Sequence, residues 1–212
     1  MQPGSETVAN DAAIRGRAAE EARTTAETQI RVRVALDGTG AARIKTGIGM
    51  LDHLLDQIAR HSLIDLEVEA TGDLEVDPHH TVEDVAICLG RALHAALSER
   101  RGLVRMADRT VPMDEALVHV ALDLSGRPFA AIDLRFHGER IGALPTELIE
   151  HFLISLAFEA RLALHVRELA GKNDHHRAEA AFKALARALG DAVALDPRRE
   201  GAVASTKGTL TG

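Results

Sequence analysis

The sequence contains an internal repeat, and this repeat limits the possible folds more than any other feature of the chain. Residues 50–55 and 148–153 share the order apolar, apolar, acidic, His, apolar, apolar, and residues 79–83 and 175–179 share the pattern His-His-x-x-Glu. An Arg-Ala-Leu triplet begins eight residues after each of the two glutamates. Matching marks in the same order indicate a duplicated unit rather than an accidental likeness between two amphipathic helices.

The same elements are predicted in each half. Apolar residues alternate over 30–36 and 118–124, and a Gly-containing turn after each segment predicts a hairpin with the strand that follows. A third strand is predicted around 66–70 and 162–166, and an Ala/Leu-rich helix follows each His pair. Each half therefore has the predicted order strand, strand, helix, strand, helix. Two such halves predict an α+β fold in which helices pack on sheets.

The repeat also sets the predicted domain boundaries. The N-terminal residues are rich in Ala, Glu, Arg and Gly and show no periodicity, so we interpret them as a flexible extension. The C-terminal residues follow the last predicted helix and form a tail. The predicted segments are a flexible extension at 1–22, a first repeat half at 23–109, a second repeat half at 110–198 and a phosphate-binding tail at 199–212.

Composition excludes several classes of protein. The chain has 25 Lys and Arg against 32 Asp and Glu, a net charge of −7, and only 2% aromatic residues, which argues against a nucleic-acid partner. Cys88 is the one cysteine, which excludes an intrachain disulfide or a cysteine-based metal cluster, and its apolar neighbours predict a buried thiol. The sequence shows neither a membrane-length apolar stretch nor a signal pattern, so we expect a soluble, cytoplasmic protein.

The paired histidines have the spacing of metal ligands. Residues four apart lie on one face of a helix, so His79 and Glu83 project together, whereas His80 points about 100° away. The same holds for residues 175–179. Each His-His-x-x-Glu pattern can thus offer one nitrogen and one oxygen to one ion, and a further nitrogen to another.

The lone histidines of the repeat, His53 and His151, complete the set. Six imidazoles and two carboxylates give three His and one Glu for each of two sites, a donor set that suits Mn, Fe, Co, Ni or Zn. The predicted metal ligands are His53, His79, His80, Glu83, His151, His175, His176 and Glu179. Taken singly, the other histidines are predicted to be solvated or hydrogen-bonded: His61, His94, His119, His137 and His165.

The C-terminal tail predicts an anion site. Residues 205–208, Ser-Thr-Lys-Gly, combine a hydroxyl, a cation and a glycine that permits close approach of the backbone, although such a run is also common in polar tails. Arg105 and Arg127 are further candidates, because a guanidinium group matches phosphate geometry. From the residues alone these arginines could equally be ordinary surface charges.

From about Arg23 to Leu210 the chain resembles the imidazoleglycerol-phosphate dehydratases, enzymes of histidine biosynthesis. Apart from both His-His-x-x-Glu patterns, the resemblance depends on four motifs at 23–28, 49–57, 179–184 and 205–208. This sequence departs from the family pattern at Ala204, where the family usually has proline, and in its longer N-terminus. Neither departure touches a predicted ligand.

The resemblance implies the architecture and the metal content. Each half would adopt the ribosomal protein S5 domain 2-like fold, with helices on a four-stranded sheet. The chain would form a homo-oligomer, a 24-subunit shell with active sites between subunits and two Mn²⁺ ions in each site. One ion would be held by His79, Glu83, His151 and His176. The other ion would be held by His53, His80, His175 and Glu179.

The resemblance also implies the reaction, which is loss of water from imidazole glycerol phosphate to give imidazole acetol phosphate. The hydrogen removed is not next to a carbonyl, so the imidazole ring, held by two metal ions as imidazolate, must act as the electron sink. The predicted catalytic residues are Glu27 as general acid/base, Glu83 and Glu179. The predicted substrate-binding residues are Glu27, His53, Gln57, His61, His79, Glu83, Arg105, Arg127, His175, Glu179, Lys183, Ser205 and Lys207.

In this set, Arg105, Arg127, Ser205 and Lys207 are expected to hold the phosphate, whereas Lys183 is not. Two other functions remain open from the residues. A dinuclear metal phosphoesterase would also use two metals and basic residues, but such enzymes usually bridge their ions with aspartates, which are missing from the predicted ligands. A metal-storage shell would need neither Glu27 nor the tail at 205–207.

Overall fold

A computed structural model of the chain describes residues 16–199 and 201–210. Four layers build the fold, in the order sheet, helix pair, helix pair, sheet. The two helices of each half pack on the sheet of that half, and the helices of one half pack on those of the other. The predicted α+β fold with helices on two four-stranded sheets is confirmed.

The first half contains four strands and two helices. These are β1 Ala18–Thr24, β2 Thr28–Ala35, β3 Ala42–Lys45, α1 Gly49–Ser62, β4 Asp65–Gly72 and α2 His79–Leu97. The second half repeats this order and adds a small two-stranded ribbon. Its elements are β5 Met106–Met113, β6 Ala116–Asp123, β7 Phe129–Asp133, β8 Arg140–Ile141, β9 Leu144–Pro145, α3 Glu147–Glu159, β10 Ala163–Ala170 and α4 Asp174–Val193.

The two sheets have the same topology, and it differs from the predicted hairpins. The strand order is β1-β2-β4-β3 in the first sheet and β5-β6-β10-β7 in the second. The predicted pairing of β2 with β3 is wrong, because β4 lies between them, antiparallel to β2 and parallel to β3. Helix α1 makes the crossover from β3 to β4, as parallel strands require. The true hairpins join β1 to β2 and β5 to β6.

Two predicted segment boundaries, after residue 22 and after residue 109, are wrong, because each falls inside the first strand of a sheet. Strand β1 begins at Ala18, so residues 18–22 of the predicted extension 1–22 are part of the first sheet. Residues 1–15 lie outside the described residues. The predicted division between 109 and 110 falls inside β5, which pairs with β6 and therefore belongs to the second half. Both are edge strands with charged residues on both faces, so the apolar alternation that marks a strand is weak in them.

Close helix packing brings the two halves together. Glycines in α2 and α4 lie at the crossings: a Cβ at Gly90 would come within 2.6 Å of the Glu159 Cβ in α3, and one at Gly190 within 2.7 Å of the Ser62 carbonyl oxygen in α1. A larger residue at either position would push the helices apart. Phe152 and Phe182 pack in the core between α3 and α4, with ring centroids 5.5 Å apart.

Cys88 is buried in α2, as predicted, and burial raises the pKa of its thiol to about 11. Among residues 16–199 and 201–210, every helix is too short or too polar to cross a lipid bilayer.

Candidate active site

The first cluster of ligand-type side chains joins α2 to α3. His79 and Glu83 are one turn apart on α2, and His151 reaches them from α3. The His151 Nε2 atom lies 3.1 Å from Glu83 Oε1, and the rings of His79 and His151 are 4.7 Å apart at their centroids. One ligand atom from each residue lies within 4.8 Å of the others. Two imidazoles and a carboxylate at this separation can coordinate one transition-metal ion.

The second cluster joins α4 to α1 in the same way. Glu179 Oε2 lies 2.8 Å from His53 Nε2 and 3.0 Å from His175 Nε2. These three residues also offer ligand atoms within 4.8 Å of one another. The donor set matches that of the first cluster, so the residues present fit a second ion of the same kind.

Each cluster takes its His–Glu pair from one half of the chain and its lone histidine from the other half. This exchange follows from helix packing, since α1 contacts α4 and α2 contacts α3. The same three residues stand together in each ligand set that the family resemblance implied.

The two clusters differ in their electrostatic surroundings. The Glu179 side chain is 8% exposed and accepts from Lys183 Nζ at 2.6 Å, whereas the Glu83 side chain is 38% exposed. Burial by itself would raise the pKa of Glu179, but the hydrogen bonds from Lys183 and His53 outweigh it and lower that pKa to about 2. Lys183, a predicted substrate residue, thus lies beside the second cluster.

The fourth member of each predicted ligand set lies away from the cluster to which it was assigned. His80 Nδ1 contacts Asp73 at 3.1 Å and lies 3.6 Å from Glu27 Oε2. His176 Nδ1 contacts Glu115 Oε2 at 2.7 Å. Hydrogen bonding to Asp73 raises the pKa of His80. The hydrogen bond from His176, together with backbone donors, lowers the pKa of Glu115 to about 2.

Glu27, the predicted acid/base, lies in the turn between β1 and β2. Asp84, buried on α2, braces this hairpin from both sides: it accepts from Arg23 Nε at 2.7 Å and from the Thr28 hydroxyl. Asp73, Asp84 and Glu115 were not among the residues predicted from the sequence. No repeat or motif marks them, and their partners are distant along the chain or on another element.

Gln57 and His61 lie on the same face of α1 as His53. These residues follow one another at intervals of four, so they share one face of the helix. Gln57 is buried and donates to the His53 backbone carbonyl at 3.3 Å. Burial lowers the pKa of His61, and the nearby charge of Lys183 lowers it further.

The predicted phosphate residues line a single cavity of ≈ 540 Å³ at the C-terminal tail. Arg105, Arg127, Ser205 and Lys207 all contribute to its wall, and Arg199 is an additional cation that the sequence analysis missed. Arg105 donates to both oxygens of Asp123, at 2.7 and 2.8 Å, which fixes its guanidinium group. The segment between α2 and β5 contacts the end of the chain, through bridges between Arg101 and Val203 and between Leu103 and Leu195.

Comparison with known proteins identifies the family. The family model described as imidazoleglycerol-phosphate dehydratase matches residues 46–189, which include both His-His-x-x-Glu patterns and all six residues of the two clusters. The chain belongs to the imidazoleglycerol-phosphate dehydratase family. Membership makes it a hydro-lyase of histidine biosynthesis that acts on a small molecule, and the predicted resemblance and enzyme class are confirmed.

Dehydratases from distant organisms are similar to almost the whole chain. The imidazoleglycerol-phosphate dehydratase of Moorella thermoacetica is 57% identical over 189 residues, covering 89% of this chain and 96% of that protein. The chloroplastic imidazoleglycerol-phosphate dehydratase 1 of Arabidopsis thaliana is 52% identical, with coverage of 92% and 73%.

Solved dehydratase structures have the same fold. The imidazoleglycerol-phosphate dehydratase from Staphylococcus aureus superposes with a TM-score of 0.77 at 35% identity, covering 84% of this chain and 99% of that chain. The enzyme from Pyrococcus furiosus, in complex with (S)-C348, gives a TM-score of 0.76 at 36% identity, with coverage of 89% and 99%.

Proposed function

We propose that the chain dehydrates imidazole glycerol phosphate to imidazole acetol phosphate with two Mn²⁺ ions in each active site. The observation that carries this proposal is the pair of matching clusters, each with two imidazoles and one carboxylate within 4.8 Å. The proposed ligands are the eight predicted from the sequence, with His176 added to the α2–α3 cluster and His80 added to the α1–α4 cluster. Ions held there would orient the imidazole ring and stabilise it as imidazolate, the electron sink that this elimination needs.

Glu27 is the proposed general acid/base. Its side chain is 55% exposed, which leaves the carboxylate accessible to substrate, and it lies beside the His80 ring. A carboxylate must be held at the reacting atom to transfer a proton efficiently, and the contacts of Asp84 with Arg23 and Thr28 support the turn that presents it. Glu27 would take the proton from the carbon next to the one that loses hydroxide.

The cavity at the tail is the proposed phosphate site. Arg105, Arg127, Ser205 and Lys207 would donate to the phosphate oxygens, and we add Arg199 to this set. The Arg199 Nε atom is buried without a hydrogen bond to any described residue, and its nearest carboxylate oxygen, on Asp196, is 3.7 Å away. A phosphate in the cavity would satisfy this donor.

His80 and His176 support a proposed assembly with active sites shared between subunits. Both rings lie apart from the clusters of their own chain, so a neighbouring copy can complete each ligand set. We propose the 24-subunit shell that the family resemblance implied. The cytoplasmic location stays a prediction, to be checked by cell fractionation.

The test is a turnover assay on metal-stripped protein with imidazole glycerol phosphate, with and without added Mn²⁺, following the ketone product. We expect ketone only with Mn²⁺, two bound ions per chain by elemental analysis, and a 24-subunit mass by light scattering. Full turnover of protein shown to be metal-free would contradict the metal proposal. A metal-loaded, active monomer would contradict the shared site.

A further inference from the structure

Glu115 connects the β5–β6 turn to the beginning of α4. Its Oε1 atom accepts from the backbone nitrogens of Lys172 and Asn173, at 3.0 and 2.7 Å, and its Oε2 atom lies 2.7 Å from His176 Nδ1. Two backbone donors hold one oxygen of this carboxylate, so the other oxygen has a fixed position against the imidazole ring.

This contact decides which ring nitrogen of His176 carries the proton. An ionised carboxylate can only accept hydrogen bonds, so the Nδ1 atom beside it must be the donor. The Oε1 atom of Glu115 already accepts two backbone hydrogen bonds, so this carboxylate is held as an acceptor. The Nε2 atom of neutral His176 is then left with a free electron pair, the form in which imidazole binds a metal ion.

The first half has a similar arrangement around His80. Its Nδ1 atom lies 3.1 and 3.3 Å from the two oxygens of Asp73, in the loop between β4 and α2. Both histidines that lie outside the clusters of this chain therefore have a carboxylate at Nδ1.

We propose that Glu115 and Asp73 are positioning residues, which hold His176 and His80 with Nε2 directed to a metal ion. The proposal rests on the two-ion function proposed above and deepens it. A carboxylate that accepts a hydrogen bond from a ligand histidine fixes the tautomer and orientation of the ring, and its loss costs about 10- to 100-fold in metal affinity.

The informative variant is Glu115→Gln. Glutamine has one acceptor oxygen, and the two backbone donors of Lys172 and Asn173 compete for it. The amide nitrogen would then face His176 Nδ1 and donate to it, which places the ring proton on Nε2 and blocks metal binding there. Asp114→Asn is the matched control, because Asp114 is the neighbouring carboxylate, is 76% exposed and lies 3.7 Å from His176 Nε2.

The experiment titrates Mn²⁺ into metal-stripped wild type, Glu115→Gln and Asp114→Asn, and follows free Mn²⁺ by electron paramagnetic resonance. The expected result is that Glu115→Gln weakens one of two ions per chain by about 10- to 100-fold, and that Asp114→Asn changes neither by more than about twofold. The melting temperature of each metal-free protein is measured in parallel.

Equal affinities for both ions in wild type and Glu115→Gln would overturn the positioning role while leaving the two-ion function intact. The same holds if Glu115→Gln weakens both ions alike and lowers the melting temperature of the metal-free protein, since Glu115 would then only stabilise the loop. Wild-type protein that binds no Mn²⁺ would overturn the proposed two-ion function itself.

Discussion

The two halves of the chain have the same strand order and matching His-His-x-x-Glu patterns, yet the contacts around those patterns differ. In the second half, Asn173 caps α4 by accepting from the backbone nitrogens of His175 and His176. In the first half, α2 follows Pro78, and Asp77 accepts from the His79 nitrogen at 2.6 Å. In both halves, a side-chain oxygen thus accepts from free backbone nitrogens in the first turn of the helix. Each His pair lies in that first turn.

The support behind the glutamates differs as well. Lys183 binds Glu179 one helical turn away, and the corresponding residue after Glu83 is Ile87, which is apolar and half-buried. The duplication kept the His–Glu pattern, while the charge around the two glutamates diverged.

Removing one cluster glutamate at a time is the strongest test of whether the two halves act as equal metal centres. Glu83→Gln and Glu179→Gln should each leave one ion per chain and lower turnover by roughly a thousandfold, because several kcal/mol of transition-state stabilisation are lost. Bound Mn²⁺ per chain and initial rates are the measurements. Glu159→Gln, on α3 and paired with Arg91, is the control. If one of the two variants kept both ions, the two halves would not be equal metal centres.

The first turns of the two sheets are expected to differ in function. Glu27 lies in the β1–β2 turn and Glu115 in the β5–β6 turn, but only Glu27 is the proposed acid/base. Glu27→Gln should lower turnover by about 10²- to 10⁴-fold with the ion count unchanged. Glu20→Gln, on the same hairpin and paired with Arg31, should have little effect. If Glu27→Gln lost an ion instead, Glu27 would be a ligand.

The proposed phosphate cavity is lined by Arg105 and Arg127 together with residues near the C-terminus, among them Arg199. Arg17 precedes β1 as Arg105 precedes β5, and each pairs with an aspartate, Asp37 or Asp123, but Arg105 also lines the cavity. Arg199→Ala should raise KM about tenfold with kcat unchanged, because one charge-assisted hydrogen bond to phosphate is worth about 1.5 kcal/mol. Steady-state kinetics test this, with exposed Arg135→Ala as the control. A fall in kcat at constant KM would contradict a phosphate-binding role.

Lys183→Ile makes the second cluster resemble the first. A carboxylate whose folded-state pKa is about 2, against an ordinary 4.5, stabilises the fold above pH 4.5, and this stabilisation disappears as pH falls towards 2. Lys183→Ile should therefore lower the free energy of unfolding of metal-free protein by about 1–2 kcal/mol at pH 7. The difference should shrink as pH falls towards 2.

Urea unfolding at both pH values and a fixed protein concentration measures this effect. Lys45→Ile, an exposed lysine on β3, is the control for lost charge. A difference from wild type that is the same at pH 7 and pH 2 would mean that Lys183 does not stabilise the Glu179 carboxylate.

Local patterns in the sequence predicted most of the secondary structure but not the strand pairing. The alternation in β2, β4, β6 and β10 reflects one covered face, and it is readable because these strands are central in their sheets. Strands β1 and β5 are edge strands, and in β1 the inward-facing Arg23 pairs with buried Asp84 rather than packing as an apolar residue. Alternation is also the same whichever strand is the partner, so the hairpin prediction failed.

The duplication can be read from the sequence alone, as can the six imidazoles and two carboxylates of the repeat and the helix face that each His–Glu pair shares. These follow from periodicities of a few residues, which the chain encodes locally. The family resemblance grouped His53 with Glu179 and His151 with Glu83, but the packing of the folded chain brings Arg199 to the cavity. It also places carboxylates beside the Nδ1 atoms of His80 and His176. Such contacts depend on which helix and sheet surfaces pack together across the whole chain, and no local pattern records that choice.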